Sequence, residues 1–307
     1  MDFSFQNLKY FVAVAEEGSV TRAARRLFIS QPSVSAAISH FESTLGQKLF
    51  VRRPSRGVIL TPAGEQLLPR ARALLAQADE LQAAASHIGS QLSGTLRAAC
   101  FVNLAPIHFA ALLSSFGAKY PGISVVFRDG HQEDILDGVR RGLFEVAITF
   151  DLGSLEDFET TTLAELPPNA VLPVTHRLAN RSSIDLEELA PEPLILMDFP
   201  LTREYFLSLF RIRRLKPRLE HLTKSFEMLR ALAGNGLGYG MINVIPAITK
   251  TCDGKETSVV PLRPPVAPLH IVAIRLREMP LRAVSEAFLH HAGEFFAQRQ
   301  SHDSLRK

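Results

Sequence analysis

The chain has 307 residues, 46% of them apolar and 21% charged, with two cysteines and a formal net charge of +3. That length allows two or three domains with full cores, and that composition excludes global disorder. Cys100 and Cys252 alone exclude a disulfide framework or a Cys-rich zinc site, and a reducing cytoplasm fits them best. No run reaches the roughly 18 apolar residues of a membrane span. The first 20 residues carry Glu16 and Glu17 without a basic region, so a secretory signal is not expected.

The charge is unevenly placed. Residues 1–58 hold eight basic and four acidic side chains, and the rest of the chain is close to neutral. Such asymmetry points to a polyanion partner for the first segment alone. A merely solvated surface is the plain alternative, and the pattern of elements decides against it.

Residues 5–17 read as a helix with Leu8, Phe11, Val12 and Ala15 on one face, stopped by Gly18. Ser19 or Thr21 can cap a second helix over 22–27, where Ala23 and Ala24 permit close helix approach. After a turn at Phe28 and Ile29, Ser30 caps a third helix with Pro32 in its first turn. Val34, Ile38, Phe41 and Leu45 form its apolar face, and Gly46 ends it. Two short strands, 49–51 and 58–60, flank a basic loop at 52–57. Helix, short helix, turn, helix and basic hairpin make a winged helix-turn-helix. The outward face of the third helix carries Gln31, Ser33, Ser35, Ser39 and His40, short polar groups that can reach base edges or phosphates.

Thr61 and Pro62 open a long helix. Leu67, Ala71, Leu74, Ala78, Leu81, Ala85 and Ile88 recur at alternating spacings of four and three, a heptad seam. At 1.5 Å per residue the helix spans about 40 Å, longer than one domain usually buries. A second copy of the same helix is the expected partner. A linker follows at 90–94. Strands and helices then alternate over 96–150, which predicts a mostly parallel sheet covered by helices. A second such set covers 194–242, and the chain returns through a strand at 270–275 to a last helix at 281–300. Two α/β lobes joined by two crossings suit a ligand between them.

The string AARRLFISQPSVSAAISHFESTLGQKLFVRR, followed by LTPAGEQLL, resembles the LysR-type transcriptional regulators. Their pattern has AA, then SQP.VS..I..LE..LG..LF.R, then LT.AG, and residues 23–67 follow it closely. The segments YPGISVVFRDGHQEDILDGVRRGLFEVAITF and SFEMLRALAGNGLGYGMIN resemble the effector domain of that family, so the likeness spans nearly the whole chain. It implies a winged helix-turn-helix, a linker helix, and a two-lobed effector domain resembling type 2 periplasmic binding proteins. It further implies double-stranded DNA as partner, a homodimer or homotetramer, a small-molecule effector and RNA polymerase as a further partner. No cofactor, metal or membrane is expected. The corresponding division is a head at 1–61, a dimerisation helix at 62–90, lobe I at 94–162 with 268–300, and lobe II at 163–267. Two departures stand out. Ala36 and Ala37 occupy places where many members have Arg-Gln, which removes a phosphate or base contact. Phe41 precedes Glu42 where Leu is common.

Enzyme chemistry finds little support. Nucleophile-elbow glycines are missing, and Gly234, Gly236, Gly238 and Gly240 follow a helix and precede a strand, the reverse of a dinucleotide loop. His290 and Glu294 share a helix face but lack further ligands, and Cys100 reads as a small core residue. The competing class is a metabolite-binding protein or metabolic enzyme on the two-lobed domain; the basic head argues against it.

Gln31, Ser33, Ser35 and Ser39 are the candidates for base or backbone contacts, and Thr21, Arg22, Arg52, Arg53 and Arg56 for phosphate or minor-groove contacts. For the effector, the strand-to-helix junctions offer Phe101, Val102, Asn103, Met197, Thr202, Arg203, Thr223, Ser225 and Phe226. Asn103 and Ser225 read equally well as helix caps, and Arg203 as a surface residue paired with a neighbour. Arg203, the hydroxyls and the aromatic rings suit a small carboxylate. Asp151 and Asp198 oppose a strongly anionic ligand and leave a neutral or zwitterionic one open.

Overall fold

The computed structural model describes residues 4–53, 57–86 and 92–304. The chain begins with three helices, α1 (Phe5–Glu17), α2 (Val20–Arg26) and α3 (Gln31–Leu45). Ser4, Ser19 and Ser30 cap them, each accepting a backbone N–H of the first turn. Ser19 is therefore the cap of α2, and Thr21 lies inside that helix. Gly18 and Gly46 end α1 and α3 in the left-handed conformation. Phe11, Val14, Ala23, Ala24, Val34, Ile38 and Phe41 form one buried core. The wing is an antiparallel pair, β1 (Phe50–Arg53) and β2 (Gly57–Leu60). It closes on the end of α1, where the Val58 N–H donates to Gly18 O at 3.0 Å. Gly57, at φ 80°, permits this approach, because a Cβ there would stand 2.3 Å from Gly18 O.

Helix α4 (Pro62–Ser86) follows. Its first turns belong to the head: Leu68 and Ala71 are buried in the head core, with Leu67 and Leu75 packed against it. The expected boundary at 61 and 62 therefore cuts through one core.

Lobe I is a five-stranded sheet in the order β4-β3-β5-β12-β6. Its strands are β3 (Gly94–Phe101), β4 (Ile123–Gly130), β5 (Val146–Phe150), β6 (Phe158–Leu166) and β12 (Leu269–Leu276). The strands over 96–150 pair in parallel as expected, β3 with β4 and with β5, and the returning β12, antiparallel to both β5 and β6, makes the whole sheet mixed. The expected lobe boundary at 162 and 163 is corrected by the same pairing: Ala164, Glu165 and Leu166 face Ile271, His270 and Leu269 across β12, so β6 stays in lobe I to its end. A π turn at Ala105–Phe109, with Pro106 in it, leads into α5 (Ala110–Lys119). Helices α6 (Gln132–Arg140) and α10 (Ala283–Ser304) complete the lobe.

Lobe II has the order β11-β7-β10-β8-β9. It comprises β7 (Asn169–Pro173), β8 (Pro193–Met197), β9 (Arg218–Thr223), β10 (Tyr239–Ile242) and β11 (Thr257–Pro261), with helices α7 (Leu186–Leu189), α8 (Pro200–Ile212) and α9 (Phe226–Gly234). The sequence reading missed α7, a single turn, and β11. Gly240 lets α9 lie on β10, because a Cβ there would meet the Leu229 side chain at 2.3 Å. Gly236, at φ 79° with no atom near a Cβ position, serves the turn after α9 instead. Among the described residues no helix is long and apolar enough to cross a membrane.

Candidate DNA interface and effector site

In the head, Gln31, Ser33 and Ser39 are exposed along α3 and Ser35 is half-buried. The Ser33 hydroxyl is engaged with Ser30 Oγ at 2.7 Å, so Ser33 contributes first to the cap. Arg22 is held by Glu17, through its carboxylate at 3.7 Å and its carbonyl, and Arg26 meets Glu16 at 2.6 Å. Thr21 and Arg52 are exposed. Among the described residues Lys9, Arg25 and Arg52 have no ion-pair partner, which leaves three cations of the head uncompensated. Arg25 was not among the sequence candidates; its place beside Arg26 gave no way to tell which of the two an acid would engage. Arg56, Ile88 and the side chains of Arg53 and Ala85 lie outside the described residues.

Glu42 proves to be a structural anchor. Its carboxylate accepts the N–H groups of Leu49 at 2.9 Å and Phe50 at 3.1 Å, and pairs with Lys48 at 2.7 Å. Burial alone would raise this carboxyl; the bonds from Lys48, Leu49 and Phe50 outweigh burial and hold it below its ordinary value. The wing is thereby pinned to the base of α3.

The seam of α4 divides. Ala71 is buried on its own chain and Leu67 is half-buried there, whereas Leu74 is 39% and Leu81 73% exposed; Ala78 is half-buried. Between these lies Arg72, 6% exposed, donating to Glu16 at 2.9 Å on α1 and to the carbonyl of Arg141 after α6. A cavity of about 570 Å³ separates α4 from lobe I beside it. Three of its four arginines are engaged, Arg72 by Glu16, Arg275 by Glu159 and Arg282 by Glu145, while Arg97 has no ion-pair partner among the described residues.

Between the lobes the chain forms a smaller cleft of about 340 Å³, lined by Phe101, Asn103, Phe150, Met197, Thr202, Phe206, Phe226, Met241, Ile242, Asn243, Val244 and Leu269. Strand β3 is the switch point of lobe I, with β4 on one side and β5 on the other, and β8 is that of lobe II, between β9 and β10. The cleft sits where β3, β5, β8 and β10 end, the place where open α/β sheets bind ligands. Phe101 meets Phe150 edge-on at 5.0 Å and Phe199 at 6.2 Å, and His131 packs on Phe199 at 4.3 Å.

Five expected residues thus meet at one cavity: Phe101, Asn103, Met197, Thr202 and Phe226. Val102, Arg203, Thr223 and Ser225 do not line it. Arg203 is bound to Asp198 at 2.6 Å, Ser225 caps α9 by accepting from Met228 N, and Thr223 Oγ1 accepts from Ser225 N at 3.1 Å. Asn243 was missed because the sequence shows it only as the residue after a strand. It donates to Leu166 O at 2.9 Å and to Tyr205 Oη at 3.0 Å, while Tyr205 donates to Ala267 O at 2.7 Å. These bonds tie lobe II to both crossing segments at the cleft wall. Burial raises the Tyr205 phenol to about 12, so it remains a donor at neutral pH. The Cys100 thiol is pushed up by burial, then by Asp129, which opposes thiolate chemistry.

A winged helix-turn-helix, a long helix and two α/β lobes closing on a cleft define a ligand-responsive DNA-binding regulator. Residues 89–297 match the LysR substrate binding domain, and residues 5–65 match the bacterial regulatory helix-turn-helix protein, lysR family. The HTH-type transcriptional regulator YnfL of Escherichia coli strain K12 is 31% identical over 267 residues, 85% of this chain and 88% of that one. The crystal structure of HinK, a LysR family transcriptional regulator from Pseudomonas aeruginosa, is 33% identical with a TM-score of 0.66, covering 96% of this chain and 99% of that one. A second LysR family structure from Pseudomonas aeruginosa, PA01 protein, gives 33% and 0.64 over 95% and 99%. The chain belongs to the LysR family: it is an oligomeric DNA-binding transcriptional regulator with an effector-binding α/β domain, not an enzyme.

Proposed function

We propose that the protein binds promoter DNA through Gln31, Ser35 and Ser39 on α3 and through Thr21, Arg25, Arg52, Arg53 and Arg56 around it. Arg22 and Ser33 take a secondary part, being held by Glu17 and Ser30. The effector enters the cleft between the lobes, where Asn103, Thr202 and Asn243 supply its polar contacts. A dimer forms on Leu74, Ala78, Leu81 and Ala85 of α4, with Ile88 next in the same sequence seam; further effector-domain contacts make it a tetramer, and contact with RNA polymerase carries the output.

One observation carries the effector assignment. Thr202 is 7% exposed, lines the cleft, and its hydroxyl has no hydrogen-bond partner among the described residues. That hydroxyl is not sealed from solvent, so at this wall it is free to pair with a ligand in place of water. The test substitutes Thr202→Val and Asn103→Ala and follows a promoter reporter with DNA binding in parallel. Loss of the effector response with DNA binding intact is expected. A wild-type response in both variants would remove the cleft from consideration.

A further inference from the structure

We infer that the effector is a small uncharged molecule, largely apolar, with one or two hydroxyl, amide or carbonyl groups, rather than a carboxylate. This rests on the reading of the interlobe cleft as the effector site. Of its twelve wall residues, nine are apolar and three carry neutral polar groups, Asn103, Thr202 and Asn243. None is ionisable.

Three charged groups beside the cleft wall are matched within the protein, and Lys224, exposed on the loop before Ser225, does not line the cleft. Arg203, the cation expected to receive a carboxylate, spends its charge on Asp198 at 2.6 Å. Asp151, one residue after Phe150, is held by His270 through Nδ1 at 2.6 Å and the backbone N–H at 2.8 Å. Glu227, beside Phe226, pairs with Arg230. An ionised ligand would exchange its hydration for aromatic and aliphatic walls without a counter-charge, which an apolar cleft strongly disfavours.

At the helix starts beside the cleft, Ser225 satisfies the Met228 N–H of α9 and Pro200 of α8 has no N–H; the remaining first-turn N–H groups are neutral donors that carry no formal counter-charge. The unmatched capacity is neutral. Thr202 can donate and accept, Asn103 has no side-chain partner among the described residues, and Asn243 has both donor bonds directed away, to Leu166 O and Tyr205 Oη. Asn243 Oδ1 therefore remains as an acceptor for a ligand N–H or O–H.

Matched probes test the charge preference directly. Benzamide and benzoate share size and ring, and differ in charge; indole-3-acetamide and indole-3-acetate form a second pair. Affinities for the full-length protein at pH 7 are measured by ligand-observed NMR titration. The same titrations are run on Met197→Trp, which fills the cleft, and on Thr202→Val, which keeps its shape. The expected result is at least tenfold tighter binding of the amide in each pair, abolished in Met197→Trp and weakened severalfold in Thr202→Val. Equal or tighter binding of the carboxylates, lost in both variants, would overturn the ligand class while leaving the site in place. Binding that survives both variants, or no binding by any probe, would overturn the site reading and the inference with it.

Discussion

Single residues of the head decide its stability in ways the sequence shows only in part. Glu42 enters the sequence reading only as the neighbour of the Phe41 departure, because the two N–H groups it accepts come from seven and eight residues further on. Replacing it with Ala leaves those groups buried without a partner and should cost about 2–4 kcal/mol in urea unfolding. The sign of its pH dependence follows from a carboxyl held below its ordinary value of 4.5. Its contribution is complete above that value and disappears as pH falls through the folded-state value. Glu42→Gln should therefore flatten the loss of stability of the protein below about pH 4.5, measured by unfolding at stepped pH. Phe28 presents the opposite case. It sits at φ 57° in the turn between α2 and α3 with its ring 95% exposed. That conformation strains a residue with a bulky side chain, and Asn tolerates it better. Phe28→Asn should raise stability by about 1 kcal/mol in thermal unfolding; an unchanged or lower melting temperature would show that the turn carries no strain. In the cleft, Thr202 and Asn103 were legible as polar residues at strand-to-helix junctions. For Arg203 the sequence left two readings, a ligand contact or a pair with a neighbour, since whether it faces a ligand or Asp198 depends on how the turn between them closes; the structure has the pair.

At the scale of elements, helix starts and stops were readable because Ser caps and left-handed glycines mark them locally. Sheet order was not, since the antiparallel return of β12 between β5 and β6 depends on pairing across more than a hundred residues. The heptad seam of α4 was legible as a period, but a period does not say which partner covers which turn. Its first turns pack on the head and its later leucines remain uncovered. Leu74→Glu should thus spare the fold of the head and place a charge in the intermolecular contact. Light scattering at micromolar concentration should show a smaller assembly, with helical content by circular dichroism unchanged. An unchanged assembly would move the dimer contact away from α4.

For the whole molecule, Arg72 is the contact through which head, linker helix and lobe I meet, by way of Glu16 on α1 and the Arg141 carbonyl. Arg72→Met should reduce the change in DNA affinity produced by effector more than it reduces DNA affinity itself, read by titrating promoter DNA with and without effector. Nothing in the sequence singled out Arg72, whose partners lie 56 and 69 residues away. The measurement that bears most directly on the protein as a DNA-binding regulator is the salt dependence of its binding to DNA from upstream of its own gene. Wild type should bind at low salt, with log affinity falling linearly against log salt, and Arg52→Ala should weaken binding and lower that slope by about one. Absence of binding at low salt, or an affinity indifferent to salt and to Arg52→Ala, would contradict it.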